Sequence, residues 1–157
     1  MDDDTTDSWS LYVLPARECE LRHPPDWTVV SGMFGSLVAV IAPPRGSDAF
    51  RTNLNIVLQP ADEAMSQEEC VATQLIALET ALADVIVLES EATVFGERAG
   101  ARAVAAHRDG DHELTLEQWM APVEAGTLVL SATALTSDFP HDAETLRAIA
   151  DSVRLDG

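Results

Sequence analysis

The stretch from Ala99 to Leu135 constrains the fold of this chain more than any other. It contains three apolar-rich runs, AGARAVAAH, HELTLEQWMAP and TLVLSATAL, separated by the turn sequences RDGD and VEAG. Asp109-Gly110 is a strong signal for a tight hairpin turn, and Glu124-Ala125-Gly126 is typical of a slightly longer one. These turns predict a three-stranded antiparallel meander, so we expect a long sheet to form the centre of the fold.

A single helix is strongly indicated before the meander. Ser66 and Glu69 form the pattern of a capping box, in which each side chain bonds the other residue's backbone N–H. The following apolar residues recur at helical spacing and predict an amphipathic helix of about 17 residues. Cys70 falls inside it and is expected to be a small buried residue, not a reactive thiol. The predicted apolar positions of this helix are Val71, Leu75, Leu78 and Leu82.

The remaining apolar segments complete an α+β pattern. Leu54, Ile56 and Leu58 alternate with Asn53, Asn55 and Val57, as expected for one strand with two different faces. The run WSLYVL fits either a strand or a short helix, and the apolar spacing of Leu146, Ile149, Ala150 and Val153 predicts a closing helix that ends near Arg154. Sequential strands joined by short turns predict a twisted, mostly antiparallel sheet of about six or seven strands flanked by two main helices. Further strands are expected at residues 18–22, 27–35, 36–42 and 85–94.

The length of the chain indicates one domain, and its N-terminal residues and cysteines indicate its location. We predict a disordered acidic tail at residues 1–8 and a single domain at residues 9–157. The N-terminal residues MDDDTTDS do not have the pattern of a signal peptide, and the two cysteines do not make a disulfide framework. We therefore expect a cytoplasmic location.

The charge balance narrows the possible partners. The chain has 27 acidic residues, nine arginines and no lysine, for a formal net charge of −18. Such a chain is repelled by phosphate backbones and by anionic lipid, so we expect neither nucleic acid nor a membrane as a partner. No apolar run reaches the roughly 18 residues of a membrane span.

The sequence contains no pattern of catalytic residues. It lacks a GxSxG elbow, an HExxH pair, a Gly-rich phosphate loop and a CxxC pair. We therefore expect a protein that is not an enzyme and that has no cofactor and no metal. The alternative is a metal pair at His107 and His112, which flank the RDGD turn. No second ligand pair has zinc-like spacing.

Apolar surface is the remaining indication of function. Residues 37–41, 85–88 and 128–130 are apolar at consecutive positions, so both faces of these strands are expected to be covered. A sheet of about seven strands is roughly 30 Å wide, whereas two helices cover only about 20 Å. The cover for the rest could come from the chain's own segments 9–16 and 43–52, from another protein or from a second copy in a homodimer.

Five residues at even positions of neighbouring strands are the candidate contacts for such a partner. The alternative is that they form the face buried under the helices. They are Leu114, Leu116, Met120, Leu128 and Leu130.

Several short motifs, in order along the chain, resemble the PsbP-like fold family, which includes Mog-type, LpqN-like and Eag-chaperone-like proteins. The resemblance covers residues from about 18 to 155. It implies a twisted antiparallel sheet with flanking helices and a binding role more often than a catalytic one. The chain departs from the LpqN-like group because no secretion signal or lipid-anchor cysteine is recognisable. The motifs are Pro25-Asp26-Trp27, Asn53-Leu54-Asn55-Ile56-Val57, Gly96 to Ala101, Leu116 with Gln118, and the run LVLSATAL before a closing helix.

Two functions remain open on the sequence alone. The leading hypothesis is a non-enzymatic cytoplasmic protein-binding module, such as an adaptor or a chaperone for a secreted protein. The alternative is a domain that binds a small molecule or lipid in a pocket between sheet and helix.

Overall fold

A computed structural model gives the structure of residues 8–14, 19–32, 36–45, 50–60, 65–124 and 126–155. These described residues form ten strands and two α-helices. The strands are β1 (Ser10–Val13), β2 (Cys19–His23), β3 (Thr28–Ser31), β4 (Val38–Ile41), β5 (Asn53–Gln59), β6 (Ala83–Phe95), β7 (Arg98–Asp109), β8 (His112–Val123), β9 (Gly126–Leu135) and β10 (Arg154–Leu155). The helices are α1 (Gln67–Ala81) and α2 (Phe139–Asp151).

Seven of the strands form one antiparallel sheet in the order β3-β4-β5-β9-β8-β7-β6. The predicted meander is confirmed as β7, β8 and β9, and Gly110 has the positive φ of +60° that its tight turn requires. The α+β class and the seven-stranded sheet with two helices are therefore confirmed. Ala125, in the second predicted turn, lies outside the described residues.

The strand register assigns each residue to one of two faces. Directly opposite residues in antiparallel strands share a face. Met120 is opposite Ala101 and Val129, and these residues lie on the side that α1 covers, which we call the α1 face. Trp119 is opposite Leu130, and both belong to the main hydrophobic core. We call that side the core face.

Helix α2 and a small second sheet cover the core face. Strands β1, β2 and β10 form this three-stranded antiparallel sheet, which the sequence did not predict. The run WSLYVL contributes its strand β1 and the buried Leu14, which resolves the strand-or-helix alternative. Ser152 directly follows α2, and its Oγ accepts a hydrogen bond from the backbone N–H of Arg22 in β2 at 2.8 Å. The shared core includes Leu14, Leu21, Leu54, Ile56, Trp119, Leu128, Leu130, Leu146 and Ile149.

Helix α1 begins at the capping box that the sequence predicts. The Glu69 backbone N–H donates to Ser66 Oγ at 3.1 Å, and the Glu69 carboxylate accepts from the Ser66 N–H at 3.5 Å. The helix buries Cys70, Gln74 and Leu78. Burial of Cys70 confirms its expected core position and, with the nearby Glu69 charge, raises the pKa of the thiol.

Two expectations about apolar residues hold only in part or are wrong. Leu78 is buried and Val71 and Leu82 pack at the margins of the clusters under α1, but the centre of the buried stripe passes through Gln74, so Val71, Leu75 and Leu82 are only partly buried. The apolar run 85–88 is not covered on both faces, since β6 is an edge strand. Ile86 is 63% exposed and Leu88 is 58% exposed.

The predicted tail, residues 1–8, lies outside the described residues except for Ser8, so the domain boundaries stay a prediction. The closing helix is confirmed as α2, with Leu146, Ile149 and Ala150 buried. It ends at Asp151, three residues earlier than its predicted end near Arg154, which instead begins β10.

Candidate functional site

Helix α1 covers one part of the α1 face. It packs against β6, β7 and β8, where Cys70 contacts a cluster containing Ala101 and Met120. Two turns further along the helix, Leu78 packs in a cluster with Ala105 and Leu116. The alternation of small alanines on β7 lets the helix approach the sheet closely.

The β4–β5 part of the same face borders a hollow of about 430 Å³. Strand alternation creates its floor, because Leu54 and Ile56 point into the core and are fully buried. The residues between them therefore face the opposite side, where they are half-buried. The hollow is lined by Ser36, Ala39, Ile41, Phe50, Arg51, Asn53, Asn55 and Val57.

Two of the polar side chains in the hollow, those of Arg51 and Asn53, already make hydrogen bonds within the chain. Arg51 Nε donates to the Ala42 carbonyl at 2.9 Å, and Asn53 Nδ2 donates to the Arg51 carbonyl at 3.0 Å. Among the described residues, no hydrogen-bond partner is found for the Asn55 side chain. An apolar floor with a few amide groups is the usual composition of a ligand or peptide site.

A buried carboxylate holds two residues near the hollow in place. Asp142 of α2 accepts from Arg45 Nη1 at 2.9 Å and from Thr52 Oγ1 at 2.5 Å, and Arg45 Nη2 makes a second, shorter contact with it. Burial alone would raise the pKa of Asp142. The hydrogen bonds from Arg45 and Thr52, with the Arg45 charge, outweigh burial and hold that pKa below its usual range. Asp142 in turn raises the pKa of Arg45.

The five predicted partner contacts do not form one surface. Because residues opposite each other share a face, the even positions of β8 lie with the odd positions of β9. Leu114, Leu116 and Met120 therefore lie on the α1 face. Leu128 and Leu130 lie on the core face.

All five of these residues are buried within the chain itself, with exposed fractions of 6% or less. Their arrangement agrees with the alternative that they pack under the chain's own elements. Their role in partner binding stays a prediction, and in this structure none of them is accessible to a partner.

The histidine pair is at the predicted hairpin end. His107 is half-buried, and burial lowers its pKa despite the nearby Asp109. His112 is exposed and lies opposite Asp109. Its ring is tilted against that of Phe50, and the two ring centroids are 6.0 Å apart. In the part of the chain that the structure describes, no group of three potential metal ligands is found.

Sequence reasoning placed Asn53, Asn55 and Val57 on one face of a strand, and the structure confirms that alternation. It did not identify them as site residues. The available signal was the pair of asparagines at alternate positions of an otherwise apolar strand, since amides are rare in strand interiors.

Comparisons with known proteins show the fold. No family model and no curated protein matches the sequence. LpqN, involved in cell envelope biogenesis of Mycobacterium tuberculosis, is similar in structure with a TM-score of 0.71 and 14% identity; the match covers 96% of this chain and 87% of LpqN. The PsbP protein (CyanoP) of Synechocystis has a TM-score of 0.70 and 12% identity, with 95% and 93% covered.

The Ran-binding protein Mog1p of Saccharomyces cerevisiae matches with a TM-score of 0.59 and 10% identity, over 94% of this chain and 95% of Mog1p. The chain therefore has the PsbP-like fold, as its sequence motifs indicated. Among the described residues, no helix is long and apolar enough to span a membrane.

Proposed function

We propose that this protein is a non-enzymatic binding module that holds a segment of another protein in the hollow beside β4 and β5. The observation that carries this proposal is the hollow itself. It has a volume of about 430 Å³ and lies on the part of the sheet next to the region that α1 covers.

The chemistry of the lining suits a polypeptide segment. Ala39, Ile41 and Val57 offer apolar contact, and Phe50 adds an aromatic ring of the kind enriched at protein interfaces. The Asn55 amide can donate to and accept from a peptide group of the bound segment. The contacts of Asp142 with Arg45 and Thr52 fix these two residues before binding, which lowers the entropic cost of association.

A role without catalysis agrees with the same lining. Among the described residues that line it there is one ionisable side chain, Arg51, and a guanidinium is a poor proton donor or acceptor. A basic or neutral protein partner agrees with the net charge of −18, which disfavours nucleic acid and anionic membranes. A fold neighbour, Mog1p, is a Ran-binding protein, which supports a protein partner in general terms. We propose that the module acts in the cytoplasm as an adaptor or a chaperone.

A small ligand is the second candidate, because 430 Å³ falls within the usual size range of ligand sites. The lining comes from β4, β5 and the adjoining residues 36, 50 and 51. This location beside the sheet differs from the pocket between sheet and helix that the sequence suggested.

The experiment places a photo-crosslinking amino acid at Asn55 and, as a control, at the exposed Ile76 on α1. The chain has no lysine, so ordinary amine crosslinkers would report little. We expect a discrete protein adduct from position 55 in the host cell and not from position 76. The substitution Val57→Arg should remove this adduct by filling the hollow with a charge, while leaving the far-UV circular dichroism unchanged.

Two results would contradict the protein-binding proposal. Equal adducts from positions 55 and 76 would show capture without a defined site. A small molecule that co-purifies with the wild-type protein in native mass spectrometry and is lost in Val57→Arg would favour the ligand-binding candidate instead.

A further inference from the structure

Strand β6 forms one edge of the seven-stranded sheet. It is 13 residues long, pairs with β7 on its inner side and is the last strand in the sheet order. No other described strand pairs with its outer side. An edge strand presents unpaired N–H and C=O groups at alternate residues, and these can pair with another extended chain.

The two halves of β6 differ in regularity. Register shifts occur between Ala83 and Ile86 and between Val87 and Glu89. Such irregularities twist an edge and protect it from pairing. From Glu89 to Phe95 the pairing with β7 is continuous, so seven successive residues form a regular edge about 23 Å long.

Side chains along this regular edge divide cleanly between the faces. Glu89 and Glu91 lie on the core face, and their side chains are 60% and 58% exposed. Ala92 and Val94 lie on the α1 face, where Val94 is 70% exposed. An added strand would therefore place one set of its side chains beside two carboxylates and the other set beside apolar groups.

The surroundings of the edge are acidic. Residues 67–97, which include α1 and β6, contain seven acidic residues and no arginine or lysine. Arg102 donates to Glu89 at 2.9 Å and to Glu91 at 3.0 Å, but it also donates to the fully buried Glu117 at 2.7 Å. Because these three carboxylates share Arg102 and one further arginine, Arg147, negative charge remains at the edge.

A second copy of the chain fits this edge poorly. In antiparallel pairing of two β6 strands that continues the sheet, opposite residues share a face. The glutamates of both copies would then lie on the same face of the junction, for example with Glu89 of each copy opposite Glu91 of the other. Like charges directly opposite each other destabilise strand pairing.

We infer that the edge from Glu89 to Phe95 binds an extended segment of a partner as an additional strand. The segment has arginine or lysine at alternate positions, next to Glu89 and Glu91, and apolar residues between them, next to Ala92 and Val94. This site is on a different part of the molecule from the hollow and goes beyond the proposed function.

The test uses a fluorescently labelled peptide of sequence Thr-Arg-Val-Arg-Val-Arg-Thr and measures its binding by anisotropy. Two matched peptides serve as controls: one has glutamate in place of arginine, and one has N-methyl groups on alternate backbone amides and keeps the charge. We expect only the first peptide to bind. Its binding should protect amides within 89–95 from hydrogen exchange.

Variants of the protein distinguish the effect of charge at the β6 edge on peptide binding from the effect of charge elsewhere. The double substitution Glu89→Gln with Glu91→Gln should weaken binding by about three- to thirtyfold, because it removes two cross-strand ion pairs. The control substitutions Glu124→Gln with Glu144→Gln change the net charge equally at exposed positions and should bind like the wild type. Val57→Arg, in the hollow, should also bind normally.

Three outcomes would overturn the inference. Equal binding of the N-methylated peptide would indicate attraction to the acidic surface without strand pairing. Absence of binding by the arginine peptide at low salt would exclude the edge as a site for such a segment. A dimer in sedimentation analysis whose interface protects residues 89–95 would show that a second copy occupies the edge.

Discussion

Glu117 connects three elements through one buried carboxylate. It lies on β8 and is fully buried. Arg102 of β7 donates to its Oε2 at 2.7 Å, and Arg147 of α2 donates to Oε1 at 2.9 Å and to Oε2 at 3.1 Å. A buried carboxylate is tolerated only when charges and hydrogen bonds of this kind compensate for lost water.

We predict that Glu117→Gln lowers the free energy of unfolding by about 3 kcal/mol, because it leaves the largely buried Arg102 guanidinium, and the half-exposed one of Arg147, facing a neutral amide. Urea denaturation followed by tryptophan fluorescence measures the loss. Glu113→Gln removes an exposed pair with Arg108 and should cost less than about 1 kcal/mol. Similar losses in both variants would contradict a special role for the buried charge.

Gln74 is the second polar residue that local sequence patterns failed to place. It is fully buried in α1, and its Nε2 donates to the Gln118 carbonyl at 3.1 Å and to Gln118 Oε1 at 3.3 Å. Its own Oε1 has no hydrogen-bond partner among the described atoms. A prediction that counts only apolar residues therefore leaves Gln74 out of the buried stripe of α1, although Gln74 lies at its centre.

At the scale of elements, α1 depends on its N-terminal cap. The capping box at Ser66 and Glu69 satisfies N–H groups that the first turn leaves without helical partners. Helix α1 covers β7 and β8 on the α1 face, so fraying of its first turn would expose Cys70 and the cluster around it.

We expect Ser66→Ala to reduce stability by about 1 kcal/mol, because the Glu69 N–H loses its side-chain acceptor. Thr80→Ala, at an exposed position in the last turn of the same helix, should be neutral or slightly stabilising, since alanine has the higher helix propensity. The midpoints of urea unfolding compare the two. A larger loss in Thr80→Ala would show that the cap is unimportant here.

At the scale of the whole molecule, both polar contacts and apolar packing connect helix α2 to the rest of the chain. Asp142 bonds Arg45 and Thr52, which are 97 and 90 residues away in sequence. These contacts fix Thr52, which directly precedes β5 and follows Arg51 in the lining of the hollow. The hollow borders β4 and β5, near one end of the seven-stranded sheet, and β6 is the strand at the other end, so the two proposed binding surfaces are separate.

Stability should fall in acid because of Asp142. Its pKa in the folded protein is lower than the ordinary aspartate value of about 3.9, so its contribution is complete at neutral pH. That contribution is lost as the pH falls below about 4 and through the folded pKa. Asp142→Asn should therefore be less stable at pH 7 and depend less steeply on pH between 5 and 3, as measured by urea unfolding at each pH.

Glu144→Gln, on the exposed side of the same helix, is the control and should retain the steep dependence of the wild type. If Asp142→Asn retained that dependence as well, the acid sensitivity would have to come from other carboxylates.

The sequence by itself determined the elements whose signals are local. The Asp109-Gly110 turn, the capping box of α1 and the alternation along β5 each depend on residues a few positions apart, and all three agree with the structure. Together with the order of the strands, they were sufficient for the α+β class and for the resemblance to PsbP-like proteins.

Tertiary structure alone decided which residues are accessible. The position of β6 at the edge exposes Ile86 and Leu88, whose sequence reads as a buried strand. The register of β8 against β9 separates Met120 from Leu130, although both have even numbers. The burial of Glu117 among 27 acidic residues has the same origin. Strand order and register depend on contacts between distant segments, and no local pattern of residues specifies them.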